Sequence, residues 1–332
     1  MPDMRIARDQ ISYSAAISAC EKGGQWQLAL SILSGMPDER VVPNEISYNA
    51  AISACEKVGQ WQLALILLSS MPDMRLIPDE ISYNAAISAC EKGGQWQLAL
   101  SLLRSMPDMS LIPNKISYNA AISACEKGKR GQLSLSLLSS MQEMRVIPNE
   151  ISYNAAISAC EHGGQWQLAL SLLSSMPDLR VVPNEISYSA AISALEKVGQ
   201  WKLALSLLSS MLGQRAIANE ISYNAAISAC EKFGQWQLAI SLLSSMPGRS
   251  LVPDEISYSS AISACEKGRK WQLALLLLRS MSDTRVIPNQ ICFSAAISAC
   301  EKWGQWQLAM CLLAFMPDMR VMPDAISCHE CV

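Results

Sequence analysis

A unit of 35 residues returns nine times along this chain, always in register and without insertions. The copy from Ile81 to Lys115, ISYNAAISACEKGGQWQLALSLLRSMPDMSLIPNK, shows its content. Ile11, Ile46, Ile81, Ile116, Ile151, Ile186, Ile221, Ile256, Ile291 and Ile326 mark the same point in successive copies. A strict period of this size points to a solenoid, in which each unit stacks only on its neighbours and the stack presents one long concave surface. Function in such a chain is a property of columns, the same position compared across units.

Each unit is numbered from the residue after its Pro-Asn or Pro-Asp pair, so that Ile81 is position 2 and Asn114 is position 35. The nine units are 10–44, 45–79, 80–114, 115–149, 150–184, 185–219, 220–254, 255–289 and 290–324. Residues 1–9 match the tail of a preceding unit and 325–332 the start of a degenerate or truncated one, so the chain reads as a piece of a longer array. A length of 332 residues would ordinarily suggest two domains. The repeat argues instead for one quasi-linear array without a linker.

Half the residues are hydrophobic, yet no apolar run approaches the roughly 18 residues of a membrane span, and a soluble protein without a membrane partner is expected. Residues 1–9 show no signal-peptide architecture. The net charge of −3 argues mildly against nucleic acid, whose binders usually carry a basic excess. Eight of the twelve cysteines form one column: Cys20, Cys55, Cys90, Cys125, Cys160, Cys230, Cys265 and Cys300, with Leu195 in the sixth unit. The column wants a small or medium apolar group, which a buried free thiol supplies, and a reducing compartment follows.

Positions 4, 7, 8 and 11 (Tyr83, Ala86, Ile87, Cys90) lie on one face of a helix. Gly93-Gly94 ends it. A second helix spans QWQLALSLLRSM, its positions 17, 20, 21 and 24 being Trp96, Ala99, Leu100 and Leu103, and an apolar surface this wide must pack on two sides. Pro107 breaks it. Asn or Asp then caps the next first helix, with an acid commonly following in its first turn. The fold class is all-α, an α-solenoid of antiparallel helix pairs. The tryptophan column (Trp26, Trp61, Trp96, Trp166, Trp201, Trp236, Trp271, Trp306) belongs to the core on this reading. The fourth unit replaces it with Gly128-Lys129-Arg130-Gly131, and the sixth ends in residues 212–218 without its two prolines. Soft joints are expected at both places.

Core demands leave positions 2, 5, 9, 12 and 13 unexplained. Position 5 holds Ser14, Asn49, Asn84, Asn119, Asn154, Ser189, Asn224, Ser259 and Ser294, poor residues for a helix interior. Position 13 holds Lys22, Lys57, Lys92, Lys127, Lys197, Lys232, Lys267 and Lys302, with His162 in the fifth unit. Lysine near a helix C-terminus favours the dipole there; on a concave side the row would also form a basic stripe.

Tyr-Asn early in the first helix, Gly before the second, alanine at position 20, methionine at position 27 and Pro-Asp/Asn at 34–35 resemble the pentatricopeptide repeat, over effectively the whole chain. Arg or Ser at position 31, where that family commonly has Gly, and Gln and Ser in the second helix, where it usually has acids, are departures. The resemblance implies a right-handed superhelix that binds single-stranded RNA, reading one base per repeat. It implies that positions 5 and 35 meet the base edge, that position 2 isoleucines sandwich the base and that the position 13 lysines contact phosphate. Under the family's pairing, Ser14 with Asn44 implies A, and Asn49 with Asp79 implies U. Asn84 with Asn114, Asn119 with Asn149 and Asn154 with Asn184 each imply a pyrimidine. Ser189 with Asn219 implies A, Asn224 with Asp254 U, Ser259 with Asn289 A, and Ser294 with Asp324 G. The target so written is 5′-AUYYYAUAG-3′. Without the resemblance, helix capping alone would explain position 35.

A protein-binding scaffold is the alternative reading, as for other helical-pair solenoids; a recruited protein partner is compatible with either. Catalysis is not expected, because every notable Ser, Cys and Glu recurs in each unit and only two histidines exist. Cys328-His329-Glu330-Cys331 aligns with the start of a degenerating unit and has no second ligand pair, so no metal or other cofactor is expected. The family's range implies a mitochondrion or chloroplast and a role in RNA processing, stabilisation, editing or translation, although no transit peptide is visible.

Overall fold

A computed structural model of the chain describes residues 9–213 and 217–316. These residues hold eighteen α-helices and no strand. They fall into two compact units, 1–163 and 164–332. In the first, α1 (Gln10–Lys22) pairs with α2 (Trp26–Gly35) and α3 (Glu45–Lys57) with α4 (Trp61–Ser70). There α5 (Glu80–Lys92) pairs with α6 (Trp96–Ser105) and α7 (Lys115–Lys127) with α8 (Gly131–Glu143), and α9 (Glu150–His162) closes the unit. The second opens on α10 (Trp166–Ser175), followed by α11 (Glu185–Lys197) with α12 (Trp201–Gly213) and α13 (Glu220–Lys232) with α14 (Trp236–Ser245). It ends in α15 (Glu255–Lys267) with α16 (Trp271–Asp283) and α17 (Gln290–Glu301) with α18 (Trp306–Phe315).

Within each unit, first helices pack side by side, α1 on α3, α3 on α5, α11 on α13 and so on. Within a unit, a second helix packs on the first helix of its own repeat and on that of the next, as α4 does on α3 and α5. A first helix therefore has neighbours on most of its circumference. In α5, Ser82, Tyr83, Asn84, Ala85, Ala86, Ile87, Ala89 and Cys90 are all buried. Opposite them, position 20 (Ala99) and position 27 (Met106) are wholly buried, and the methionine column is so throughout, from Met36 to Met316. Burial pushes the thiols of Cys55, Cys90, Cys125, Cys160, Cys230 and Cys265 up to about 11, as befits packed, unreactive groups.

The second helix has two lengths, and proline decides which. Where Pro follows the methionine of position 27, the helix stops at Gly35, Ser70, Ser105, Ser175 or Ser245, and after the last four a short 3₁₀ turn begins at the proline. With Gln142, Leu212 or Ser282 in that place, α8, α12 and α16 run on to Glu143, Gly213 and Asp283, because no pyrrolidine ring blocks the next turn. The chain then reverses through position 31, which takes the left-handed conformation. Arg40, Arg75, Ser110, Arg145, Arg180, Ser250 and Arg285 all have φ between 57° and 62° there. This is the position at which the sequence departs from the family's glycine.

The tryptophans correct one expectation. They stand half-buried at the core's edge, and Trp306 is 66% exposed. Their rings lie on the turn of the following repeat: a Cβ built on Gly93 would sit 2.3 Å from Trp61 Cδ1, and one on Gly268 2.3 Å from Trp236 Cδ1. At the first expected soft joint, Arg130 lies 4.8 Å from the centre of the Trp96 ring, a cation–π contact, and α8 packs on α7 and α9 as its counterparts do. The boundary between the units falls instead at Gly163 and Gly164. Of the second, residues 214–216 lie outside the described residues, as do Cys328-His329-Glu330-Cys331.

Candidate nucleic-acid interface

The site is built outward from the caps. Every first helix starts behind an Asp or Asn in extended backbone whose side-chain oxygen accepts the N–H of position 3. That cap is position 35 of the preceding repeat. In six repeats it also meets position 5 of its own repeat, 30 residues earlier. Asn49 Nδ2 donates to Asp79 at 3.1 and 3.0 Å, and Asn224 Nδ2 to Asp254 at 3.1 Å to either oxygen. Asn84 Nδ2 reaches Asn114 Oδ1 at 3.4 Å and Asn119 Nδ2 reaches Asn149 Oδ1 at 3.3 Å. Ser14 donates to Asn44 Oδ1 at 3.2 Å and Ser189 to Asn219 Oδ1 at 3.1 Å. Capping and pairing are thus two uses of one side chain.

A third column joins these pairs. Position 3 is Ser in every repeat from Ser12 to Ser257 and Cys292 in the last, and its side chain is fully buried from Ser47 onward. Ser82 Oγ lies 2.6 Å from Asn49 Oδ1 and 2.7 Å from Asp79 Oδ1, and accepts Asp79 N–H at 3.1 Å. Ser117 lies 2.5 Å from Asn84 Oδ1, Ser152 2.6 Å from Asn119 Oδ1 and Ser257 2.5 Å from Asn224 Oδ1. Amide orientations follow from donors whose identity is certain. A backbone N–H fixes the acceptor oxygen of position 35, only an N–H of position 5 can face that oxygen, and the serine hydroxyl then serves the remaining Oδ1. The serines went unremarked in the sequence, although Asp79-x-x-Ser82 is a capping-box spacing that could have shown them.

Position 5 does not lie open. Ser14, Asn49, Asn84, Ser189, Asn224 and Ser259 are at most 9% exposed, while Asn119, Asn154 and Ser294 are half-buried. Position 35 is half-buried at Asn44, Asp79, Asn114, Asn149, Asn184, Asn219, Asp254 and Asn289; Asp324 and Ile326 lie outside the described residues. In the last described pair, Ser259 turns its hydroxyl to Ile256 O at 3.1 Å. The isoleucines of position 2 stand out from the helices beside these edges, 53–76% exposed from Ile11 to Ile291. They are the largest apolar groups of the helices' outer side. Position 1 also reaches the site: Asn114 Nδ2 donates to Glu80 at 3.3 Å, and Asn289 Nδ2 to Glu255.

The lysines form no bare basic stripe. Six of them reach back to the position 12 glutamate of the preceding repeat: Lys57 to Glu21 at 3.1 Å, Lys92 to Glu56 at 2.9 Å and Lys127 to Glu91 at 2.8 Å. Lys232 with Glu196, Lys267 with Glu231 and Lys302 with Glu266 do the same at 2.9, 2.9 and 2.6 Å. The lysine side chains keep 36–47% of their surface open and the glutamates 17–25%. Lys22 and Lys197 are likewise exposed. His162, in the lysine column, bonds Ser158 O through Nδ1 at 2.7 Å.

Stacked helical hairpins of 35 residues with capped, cross-bonded columns define a helical-repeat protein. Family models for the PPR repeat family match residues 43–92, 78–127, 148–197 and 218–267, and the pentatricopeptide repeat domain matches 1–58. The PPR repeat matches 116–146, 186–215 and 256–285. The chain belongs to the pentatricopeptide repeat family. Its fold is similar to that of the pentatricopeptide repeat protein PPR10 in complex with an 18-nt psaJ RNA element, at 20% identity and TM-score 0.64, over 97% of this chain and 52% of that one. The maize PPR10 structure gives 19% and 0.56 over 97% and 55%. The chain thus spans about half the length of these relatives. No curated protein matches it.

Proposed function

We propose that the protein binds single-stranded RNA by sequence, one base per repeat, with positions 5 and 35 at the base edge, position 2 isoleucines on its faces and position 13 lysines near phosphate. The observation that carries this reading is the direct hydrogen bond between positions 5 and 35 within a repeat. The atoms left over are specific. In Asn49–Asp79, Asn49 Nδ2 spans both carboxylate oxygens and the cap holds Oδ1, so the outward N–H of Asn49 and a second lone pair on Asp79 Oδ2 remain, a donor beside an acceptor. That pair complements O4 and N3–H of uracil. In Asn84–Asn114 the cap consumes Asn114 Oδ1 and Glu80 takes one Asn114 N–H, leaving one N–H on each residue, and two donors suit the N3 and O2 acceptors of cytosine. Within the pyrimidine readings, cytosine is therefore the better fit. Exposed aliphatic side chains make face contact with any base, so the discrimination rests on the edge. A scaffold for varied peptides would need columns that differ at every contact, whereas these differ chiefly at 5 and 35.

Fluorescence anisotropy tests the reading with labelled 5′-AUCCCAUAG-3′, a scramble of it and the matching DNA, across a salt series. Tight binding to the first, weaker to the others, is expected. Equal binding to the scramble would remove the code, and binding to none would favour the protein scaffold. The family's range extends the proposal to RNA processing, stabilisation, editing or translation in a mitochondrion or chloroplast, which imaging of a tagged chain in its own cells would check.

A further inference from the structure

We infer that the position 3 serine of the following repeat is a third determinant of base selectivity, a positioning residue that sets the asparagine of position 5. The inference rests on the RNA reading above and deepens it.

Asn49, Asn84, Asn119 and Asn224 each have Nδ2 on position 35 and Oδ1 on a serine hydroxyl from the next first helix. The two anchors hold the nitrogen and the oxygen of one amide, so together they fix the torsion that places its other N–H. Position 35 alone would hold the amide at one end. The serines are fully buried, Asn49, Asn84 and Asn224 are at most 9% exposed and Asn119 is half-buried, and bulk water cannot substitute for the hydroxyl without opening the helix contact. A short oxygen-to-oxygen distance, 2.5–2.6 Å in all four cases, leaves no room for an amide flip: an Nδ2 there would need a longer approach.

The chain contains its own contrast. The Ser–Asn pair stands in repeats one, six and eight, and in the sixth Ser189 bonds Asn219 while Ser222 turns to Asn219 O. The contrast lies between the first and the eighth, Ser14 with Asn44 and Ser259 with Asn289. Behind the first stands Ser47, 2.9 Å from Ser14 Oγ, and Ser14 bonds Asn44. Behind the eighth stands Cys292, whose backbone N–H still bonds the Asn289 cap at 2.9 Å. A thiol is a weak hydrogen-bonding partner, and Ser259 turns to Ile256 O. The cap is intact and the cross-pair is not.

The experiment is base selectivity in the full chain, as the ratio of affinities for RNA with U or C at base 2, and in the same proteins at base 7, read by Asn224 and Asp254. Ser82→Ala should lower the ratio at base 2 about fivefold, the size of one neutral hydrogen bond, leave base 7 unchanged, and be restored by Ser82→Thr. An unchanged ratio at base 2 in Ser82→Ala would overturn the inference while leaving the RNA reading intact. A wild-type ratio near one at both bases would take both down. Should Ser82→Ala fail to fold, Cys292→Ser decides: a higher preference for A over G at base 8 supports the inference, and no change overturns it.

Discussion

Lys92 Nζ lies 2.9 Å from Glu56 Oε1, across the seam between two repeats, and the same pair recurs along both units. Six lysines of the column that should draw RNA phosphates are thereby neutralised by the column beside it. Eight lysines would allow a log–log salt slope of at most about −6 on single strands. The ladder predicts a shallower one, because a phosphate must displace a carboxylate as well as counterions. Replacing Glu56, Glu91 and Glu231 by Gln should steepen the slope and raise affinity for scrambled RNA more than for the designed sequence. Unchanged slopes in a salt titration would show that the glutamates do not restrain the lysines.

One rung of the ladder is different. Glu126 faces His162, and burial holds its carboxyl above the usual range; His162 and Lys127 pull it down, while Glu91 and Glu161 push it up. A raised carboxyl contributes stability below its unfolded value, and loses it as pH rises through the folded one. Glu126→Gln should therefore stabilise the chain at pH 8 and not at pH 4. His162→Lys, which restores a permanent cation, should act in the same direction. Urea midpoints at the two pH values check both substitutions, and a gain at pH 4 equal to that at pH 8 would rule the carboxylate out.

Arg75 sits at φ 59° with no glycine to ease it. The left-handed region costs a side-chain-bearing residue about 1–2 kcal/mol, and glycine's greater freedom in the unfolded chain returns part of that. Arg75→Gly should stabilise by about 0.5–1 kcal/mol net. Arg75, Ser110 and Arg180 are far apart in sequence, so the triple variant should gain roughly the sum, read as a shift in urea midpoint without loss of helicity.

The helix pairs were legible because period, glycine and proline agree, and proline even sets the length of the second helix. The first helix was legible only in part. Its pattern of Tyr83, Ala86, Ile87 and Cys90 gives one face, but close stacking of first helices also buries Ser82, Asn84 and Ala85, small or polar residues that carry no hydrophobic signal. The same stacking hides the serine column, whose partners lie 33 residues away. Trp61 looked like core by its chemistry, yet its ring covers Gly93 at a repeat seam and stays half open. Lysine at position 13 and glutamate at position 12 were both visible in the sequence; that they pair across a seam 36 residues apart depends on the rotation between repeats.

The central claim is that the atoms left free by the bond between positions 5 and 35 choose the base. Asp79→Asn tests it with one atom pair, because Asn caps a helix as well as Asp does and only the oxygen not held by the cap becomes a donor. Affinities for RNA with U or C at base 2 should reverse from U to C, each way by about tenfold, with base 7 still reading U. A variant that still prefers U at base 2, or that loses selectivity at both bases alike, would contradict the account.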